Sequence, residues 1–300
     1  MRRPLATATA AVLGSALLAA CAPSSAAPDP DAEKSSADAP VVSAGGVPVP
    51  RGDLRGWHQI FTDEFDRAEL GDRWGTYEGT PGGNPHSWWD PSMVTLSDGA
   101  LRLGAERVDG RWITGGVSNY PVTQRYGRWE IRMRADRSEA ISYHMLLWPQ
   151  DENWPPEIDF AESVSPDRTE TTAFLHWVDE NGENDKDDAE ITGRFDEWHT
   201  IGVEWLPGLV RYLLDGEVWA EARGDDIVPD VPMWLGLQAE AGACERRLDW
   251  GLTPCSGSPD PAAPVVEIDW VTVYAPIESE LREMESEGLF EPAPDAAPIG

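Results

Sequence analysis

One stretch of the chain reads Trp154-Pro155-Pro156-Glu157-Ile158-Asp159-Phe160-Ala161-Glu162 and sets three carboxylates within six residues of an apolar, strand-like run. In a β-strand alternate side chains share a face, so Glu157 and Asp159 point to one side while Ile158 and Phe160 point to the other. Strict alternation would turn Glu162 into the core. One β-bulge between Asp159 and Glu162 returns Glu162 to the face of the other carboxylates. The sequence therefore predicts a bulged strand with three acidic side chains on one face.

The spacing of the two glutamates predicts a reaction type as well. About four strand steps separate the α-carbons of Glu157 and Glu162 by roughly 13 Å, and converging side chains bring the carboxyl groups to ~5–6 Å. Retaining glycoside hydrolases need about 5–5.5 Å between these groups, whereas inverting ones need ~6.5–9.5 Å. The spacing favours retention. Charge alone leaves two alternatives open, a solvated acidic strand face and a metal-binding strand edge.

Short alternating apolar runs dominate the middle of the chain, and clusters of Gly, Pro, Asn and Asp separate them. The runs lie at residues 94–103, 129–134, 141–147, 171–177, 200–205 and 210–214. Such runs with little helical periodicity are typical of an all-β sandwich, and residues 55–277 are long enough for one large domain. Asp215-Gly216 predicts a type I′ hairpin turn, because both positions favour a positive φ. We interpret Trp129, Trp205 and Trp270 as packing residues, since they lie inside strand patterns.

The two ends of the chain have different compositions. Residues 1–20 combine Arg2 and Arg3 with a short apolar run, which predicts a signal peptide. The sequence Leu18-Ala19-Ala20-Cys21 resembles a bacterial lipobox, so we expect a secreted protein anchored to the membrane at the cell surface by lipid on Cys21. An ordinary secretory peptide is the alternative. Residues 21–54 predict a disordered linker, and residues 278–300 an acidic tail with a short helix from Glu278 to Glu287.

Charge and cysteine content restrict the partners. The formal net charge of −31, from 54 acidic and 23 basic residues, argues against nucleic acid, although the local basic patch Arg246-Arg247 can act at short range. With Cys21 assigned to lipid, Cys244 and Cys255 remain. Two cysteines outside the cytoplasm most simply form a disulfide, which would hold the intervening loop as a cleft wall. Free thiols are the alternative.

Several motifs in a fixed order resemble glycoside hydrolase family 16, the laminarinase- and lichenase-like β-glycanases. The carboxylate strand matches the bulged form of the family signature. The other matching motifs are Phe61-Thr62-Asp63-Glu64-Phe65-Asp66, Tyr126-Gly127-Arg128-Trp129-Glu130-Ile131-Arg132 and Ile268-Asp269-Trp270-Val271-Thr272-Val273-Tyr274, so the resemblance covers roughly residues 57–275. It implies a concanavalin-like jelly roll over residues 55–277, with a concave cleft that binds a polysaccharide. We expect a monomer.

The resemblance also implies roles for the acidic side chains. Glu157 would be the nucleophile and Glu162 the acid/base, while Asp159 would hydrogen-bond the nucleophile and separate their pKa values. A transglycosylase and a non-catalytic glycan-binding surface lipoprotein are the alternative functions. No cofactor is expected for catalysis. A structural calcium ion on the convex face would take oxygens from Glu64, the backbone of Gly99 and Asp269.

Aromatic side chains are expected to line the cleft, because their faces stack on sugar rings. Among fifteen tryptophans, those in or beside loops have less reason to serve packing. His176 resembles a cleft histidine of the family, and Gln238 can hydrogen-bond a sugar hydroxyl; His199 is interpreted as structural and His144 is left open. The predicted aromatic cleft residues are Trp88, Trp89, Trp148 and Trp154.

Two departures from the family pattern concern the substrate. Pro156 stands where the family usually has glycine before the nucleophile, and residues 236–242 lack the Asn and paired glycines common in laminarinases. Family members that share Trp-Pro-Pro-Glu resemble enzymes acting on bacterial exopolysaccharides. We therefore predict weak activity on laminarin and lichenan, and better activity on a more decorated β-linked polysaccharide.

Overall fold

Two β-sheets packed face to face form the structure, a computed structural model that describes residues 43–300. The helices are α1 (Ala243–Asp249) and α2 (Glu278–Ser286), and neither is long and apolar enough to cross a membrane, which holds for every helix of the described residues. The strands are β1 (Trp57–Asp63), β2 (Gly75–Thr76), β3 (Val94–Ser97), β4 (Ala100–Val108), β5 (Arg111–Thr114), β6 (Gly116–Ser118), β7 (Gly127–Ala135), β8 (Ile141–Pro149), β9 (Glu157–Ser163), β10 (Glu170–Val178), β11 (Asn184–Thr192), β12 (His199–Leu206), β13 (Leu209–Leu214), β14 (Glu217–Arg223), β15 (Met233–Ala241), β16 (Val265–Pro276) and β17 (Ala297–Ile299).

The two sheets have distinct roles. The cleft sheet runs β11-β10-β9-β8-β15-β6-β2 and carries the carboxylate strand β9 near its centre. The back sheet runs β17-β14-β13-β12-β7-β16-β4-β3, with β1 paired to β16 and β5 paired to β4. Antiparallel pairing predominates, whereas β14 and β17 pair in parallel. The prediction of an all-β sandwich is confirmed.

The inner faces of both sheets meet in one hydrophobic core. Ile158 and Phe160 of β9 point into it from the cleft sheet, as alternation predicts. Trp129 and Trp205 come from the back sheet, and their rings stack at a centroid distance of 6.2 Å. These two tryptophans and Trp270 are fully buried, which confirms that they are packing residues.

The register of β9 contains the predicted irregularity. Asp159 lies opposite Leu146 of β8, whereas Ala161 lies opposite Met145, so β9 holds one residue more than its partner between these pairs. The same shift occurs against β10, where Glu162 lies opposite Thr172. The predicted bulge is confirmed, and it returns Glu162 to the outer face of the sheet.

The structure confirms the turn predicted for one hairpin and corrects the prediction for another segment. Asp215 and Gly216 join β13 to β14 with φ angles of 51° and 89°, which confirms the two-residue turn. The run at residues 94–103, which reads as one strand, is a hairpin instead. Asp98 and Gly99 both adopt positive φ and reverse the chain between β3 and β4, so the alternation continues across a turn.

Both ends of the described chain pack onto the sandwich. Residues 43–54 belong to the segment predicted as a disordered linker, yet Arg132 and Trp270 of the back sheet donate hydrogen bonds to carbonyls of Gly45 and Val47. The acidic tail forms α2 and then β17, whose Ile299 is buried in the core. Cys21 and the predicted signal peptide lie outside the described residues.

Candidate active site

A cleft of about 880 Å³ lies on the outer face of the cleft sheet. Strands β8, β9, β10 and β15 supply its floor, and loops together with the end of α1 supply its walls. Glu157, Asp159 and Glu162 all line it, so the bulged strand presents its three carboxylates to one space. The aromatic lining consists of Tyr77, Trp89, Tyr120, Trp148, Trp154, Phe174, Trp234 and Trp250.

Glu157 and Asp159 form one half of the acidic cluster. Their carboxylate oxygens and a ring nitrogen of His176 lie within 4.8 Å of one another, and His176 Nε2 is 3.4 Å from Asp159 Oδ2. The indole Nε1 of Trp154 donates a 2.7 Å hydrogen bond to Glu157 Oε2. Asp159 is almost fully buried, whereas Glu157 is half-buried and reaches the cleft.

Burial of Glu157 and Asp159, together with the repulsion between neighbouring carboxylates, raises the pKa of both groups and favours a proton on one of them. Burial, and then the charge of Glu162, raise the pKa of Asp159 well above its ordinary value. Burial, and then the charge of Asp159, raise the pKa of Glu157 in the same way. Because two adjacent carboxylates resist simultaneous ionisation, a protonated Asp159 can donate a hydrogen bond to an ionised Glu157.

Glu162 has a different environment. Its Oε1 lies 3.0 Å from Nη1 of Arg246 and 3.1 Å from Nδ1 of His144. Burial would raise the pKa of Glu162, but His144, Arg246 and Lys186 outweigh it and lower that pKa to about 2. These positive neighbours therefore favour the ionised form of Glu162.

The contacts of Arg246 fix the tautomer of His144. Nη1 of Arg246 also lies 2.7 Å from Nε2 of His144, and a guanidinium can only donate hydrogen bonds. Nε2 is then placed to accept, and Nδ1 is the ring nitrogen that can donate to Glu162. Nη2 of Arg246 binds Glu240 at 3.1 Å, and Asn84 donates to the same oxygen of Glu240.

Helix α1 brings Arg246 to the cleft. Gly242 precedes the helix with a φ of 92°, a conformation that favours glycine, and Ala243 donates a backbone hydrogen bond to Ala140. Cys244 of α1 forms a disulfide with Cys255, at a Cα–Cα distance of 5.6 Å, which confirms the predicted pairing. The loop closed by the disulfide carries both Arg246 and Trp250, which line the cleft, so it forms one cleft wall.

The structure places five of the six predicted substrate-binding residues in the cleft and one outside it. Trp89, Trp148, Trp154, His176 and Gln238 line the cleft. Trp88 does not, because neighbouring residues of the extended segment face opposite ways, and the guanidinium of Arg111 lies 4.1 Å from its ring centroid instead. His144 joins the acidic cluster, and His199 binds Asp215 away from the cleft.

Sequence reasoning missed several cleft residues. Arg246 was visible only as part of a basic patch, and no local pattern relates it to Glu162, since 84 residues separate them. Glu240 lies on β15 among apolar residues, and alternation could have assigned it to the outer face together with Gln238. The missed aromatic residues are Tyr77, Tyr120, Phe174, Trp234 and Trp250.

The backbone brings the three predicted calcium ligands close together, but the carboxylates of two of them face other partners. Strand β16 pairs with β4 up to Ile268 and with β1 from Val271, so Glu64, Gly99 and Asp269 lie near one point. The carboxylate of Glu64, however, is paired with Arg51. That of Asp269 faces Gly45 and Arg132. Arg51 and Arg132 lie near the two carboxylates, whereas Asp269 Oδ2 is buried with no hydrogen-bond partner among the described residues, so the calcium site stays a prediction.

A β-sandwich with a bulged carboxylate strand on the floor of an aromatic cleft defines a class of carbohydrate-cleaving proteins. The sequence profile of the glycosyl hydrolases family 16 matches residues 84–271, more than half of the chain. The chain belongs to this family, as its motifs predict, and the family is one of glycosidases.

Relatives and solved structures agree with this assignment. A beta-glucanase of Acetivibrio thermocellus is 29% identical over 160 residues, which are 50% of this chain and 46% of the relative. The endo-1,3-1,4-beta-glycanase ExsH of Rhizobium meliloti is 23% identical over 202 residues, 67% of this chain and 42% of the relative. The chain thus spans less than half of these curated relatives. A laminarinase catalytic domain from Thermotoga petrophila shares the fold, with a TM-score of 0.63 and 18% identity over 75% of this chain and 100% of that one.

Proposed function

We propose that this protein is a retaining hydrolase that cleaves internal β-linkages of a polysaccharide, with Glu157 as nucleophile and Glu162 as acid/base. One observation carries the proposal: the bulge in β9 turns Glu157, Asp159 and Glu162 to the same aromatic-walled cleft. A glycan-binding protein gains nothing from three adjacent carboxylates that repel one another, two of them buried, because desolvation and repulsion cost stability. The family membership of the chain supports the same reaction class.

Each carboxylate would take one part of a double displacement. Glu157 attacks the anomeric carbon and forms a glycosyl-enzyme ester, while Glu162 gives its proton to the departing sugar oxygen. Glu162 then removes a proton from water, which attacks the ester and releases Glu157. A protonated Asp159 and the Trp154 indole N–H stabilise Glu157 as an anion before attack and on release.

The charge distribution of the free cleft supports a second assignment on the same scaffold. Arg246 holds Glu162 ionised, which suits a nucleophile, and burial keeps a proton near Glu157, which suits an acid. In the first assignment Glu162 must gain a proton when the sugar covers its remaining exposed surface, because desolvation favours the neutral form.

Azide rescue of alanine variants separates the two assignments. Loss of the nucleophile lets azide attack directly and yields a glycosyl azide of inverted configuration. Loss of the acid/base leaves the ester intermediate, and azide then yields a product of retained configuration on a substrate with an activated leaving group. We expect inversion for Glu157→Ala and retention for Glu162→Ala. The opposite pair of products would exchange the roles, and no rescue of either variant would contradict double displacement.

We also propose that the substrate is a decorated β-linked polysaccharide. The support is the Pro155-Pro156 pair at the start of β9 and the departure from the laminarinase pattern at residues 236–242. A polysaccharide panel scored by reducing ends, with Glu157→Gln as the blank, tests this. Weak activity on laminarin and lichenan is expected. A kcat/KM on laminarin of roughly 10⁴ M⁻¹s⁻¹ or more would contradict it.

A further inference from the structure

Lys186 occupies an unusual position for this chain. The sequence contains two lysines, and Lys186 is the one within residues 43–300. It lies on β11 opposite His176 of β10, and it lines both the cleft and an adjoining cavity of about 300 Å³. The lysine therefore stands where the cleft continues past the acidic cluster.

The ammonium group of Lys186 rests on aromatic rings. Its Nζ lies 4.5 Å from the ring centroid of Phe174 and 5.7 Å from that of Trp250. The side chain is exposed, and within residues 43–300 no carboxylate forms an ion pair with it. Arg246, by contrast, forms ion pairs with Glu162 and Glu240. In a protein with 54 acidic residues, Lys186 thus keeps a positive charge available to the cleft.

Carboxylates lie in both spaces beside Lys186, so an anion is favoured only where it touches the ammonium group. Arg247 lines the adjoining cavity and donates hydrogen bonds to the backbone carbonyls of Thr253 and Val164. That cavity contains three further carboxylates, which repel an anion as those of the cleft do: Glu170, Asp188 and Glu190. Trp250 lines both spaces, so a sugar stacked on its ring can extend a substituent to the ammonium group.

We propose that Lys186 binds a carboxylate substituent of the polysaccharide, with the substituted sugar stacked on Trp250. This inference rests on the proposed function and names the decoration that the cleft selects. A protein of charge −31 repels an anionic polymer at long range, but screening at physiological salt limits that repulsion to roughly 8 Å. At contact distance the attraction between the ammonium group and the substituent outweighs this repulsion. The two charges are then close together, and Phe174 and Trp250 partly shield the ammonium group from water.

Matched polymers test the proposal directly. The probes are a mixed-linkage β-glucan and the same glucan carrying a low degree of carboxymethyl substitution. Binding is measured calorimetrically with Glu157→Gln, which removes turnover, and with the double variant Glu157→Gln/Lys186→Gln. Arg282→Gln in the Glu157→Gln background is the charge-matched control, since Arg282 lies exposed on α2 outside the cleft. Thermal unfolding verifies that each variant folds.

We expect the carboxymethylated glucan to bind about tenfold more tightly than its parent, a factor equivalent to about 1.4 kcal/mol. Lys186→Gln should remove that preference, whereas Arg282→Gln should keep it, and 0.5 M NaCl should reduce it. Equal affinity for the two polymers, or an unchanged preference in the Lys186 variant, overturns the proposal. If the preference is present but wild-type protein hydrolyses neither polymer, the proposed reaction fails while the binding inference stands.

Discussion

The guanidinium of Arg246 and the carboxylate of Glu162 form a 3.0 Å ion pair across 84 residues of sequence. Glu162 belongs to the cleft floor, and Arg246 belongs to helix α1, whose Cys244 forms a disulfide with Cys255 of the loop that follows. The ionisation of the proposed acid/base therefore depends on a segment outside the sheet.

Arg246→Gln should move the alkaline limb of the kcat profile, which reports the substrate complex, upward by about 1–3 pH units, the range expected when an opposite charge at this distance is lost. Glu162 must be protonated to act as an acid, and Arg246 favours its ionised form, so removal of the guanidinium raises the pKa of Glu162. The pH dependence of kcat at saturating substrate measures this, and Arg246→Lys should restore part of the shift.

Arg247→Gln on the same helix is the control, because Arg247 donates to backbone carbonyls and not to Glu162. Stability gives a second measurement. The folded pKa of Glu162, about 2, lies below its ordinary 4.5, so its ionisation stabilises the wild type above pH 4.5, and this contribution disappears as pH falls toward 2. The stability difference between the wild type and Arg246→Gln should vanish there too. An unchanged alkaline limb would show that Arg246 serves structure alone.

Trp154→Phe should move the acidic limb of the profile upward. The indole N–H of Trp154 donates to Glu157 and lowers its pKa, so loss of the donor makes the nucleophile harder to ionise. A loss of about 0.5–1.5 kcal/mol, typical of one hydrogen bond, corresponds to a shift of up to about one pH unit. Trp148→Phe, which breaks a hydrogen bond to Glu152 instead, is the control. A shifted alkaline limb with an unmoved acidic limb would favour the reversed roles of the two glutamates.

Removal of the disulfide should affect stability and the pH profile together. Cys244 and Cys255 are 11 residues apart, and closing such a loop stabilises a protein by about 3 kcal/mol in the chain-entropy treatment. The double variant Cys244→Ala/Cys255→Ala should unfold roughly 6–12 °C lower. It should also shift the alkaline limb in the direction of Arg246→Gln. A lower unfolding temperature with an unchanged profile would mean that α1 holds Arg246 without the disulfide.

Cys21 carries the prediction about location. Mature protein should partition with membranes through lipid on Cys21, and Cys21→Ser should release the protein or block its processing. Detergent phase partition of the two proteins measures this. Recovery of the wild type from the aqueous phase would contradict the lipid anchor.

Local patterns were enough to predict the parts of the site that one strand builds. The alternation from Glu157 to Glu162 predicted the bulge, because the core has no place for a third carboxylate. Asp215-Gly216 predicted its turn from backbone preference alone. Cys244 and Cys255 were paired by elimination. In each case the physical constraint acts between residues that are close in sequence.

Contacts between distant segments escaped prediction. Trp88 and Trp89 have the same local composition, and the bridges of Trp89 to Gly79 and Thr114 decide which ring faces the cleft. Arg246 needed the position of α1 relative to β9. Ile299 lies in a Pro- and Ala-rich tail without periodicity, and it becomes a core residue because β14 offers it a free edge.

Strand β11 has a consequence for how the protein meets other chains. It is the outer strand of the cleft sheet, and five of its nine residues are charged: Asp185, Lys186, Asp187, Asp188 and Glu190. The opposite edge, β2, is two residues long. Charged and very short outer strands resist edge-to-edge pairing, which is a route to aggregation. The rim beside the cleft is thereby protected from β-augmentation by a second polypeptide, and it stays accessible to a long sugar chain.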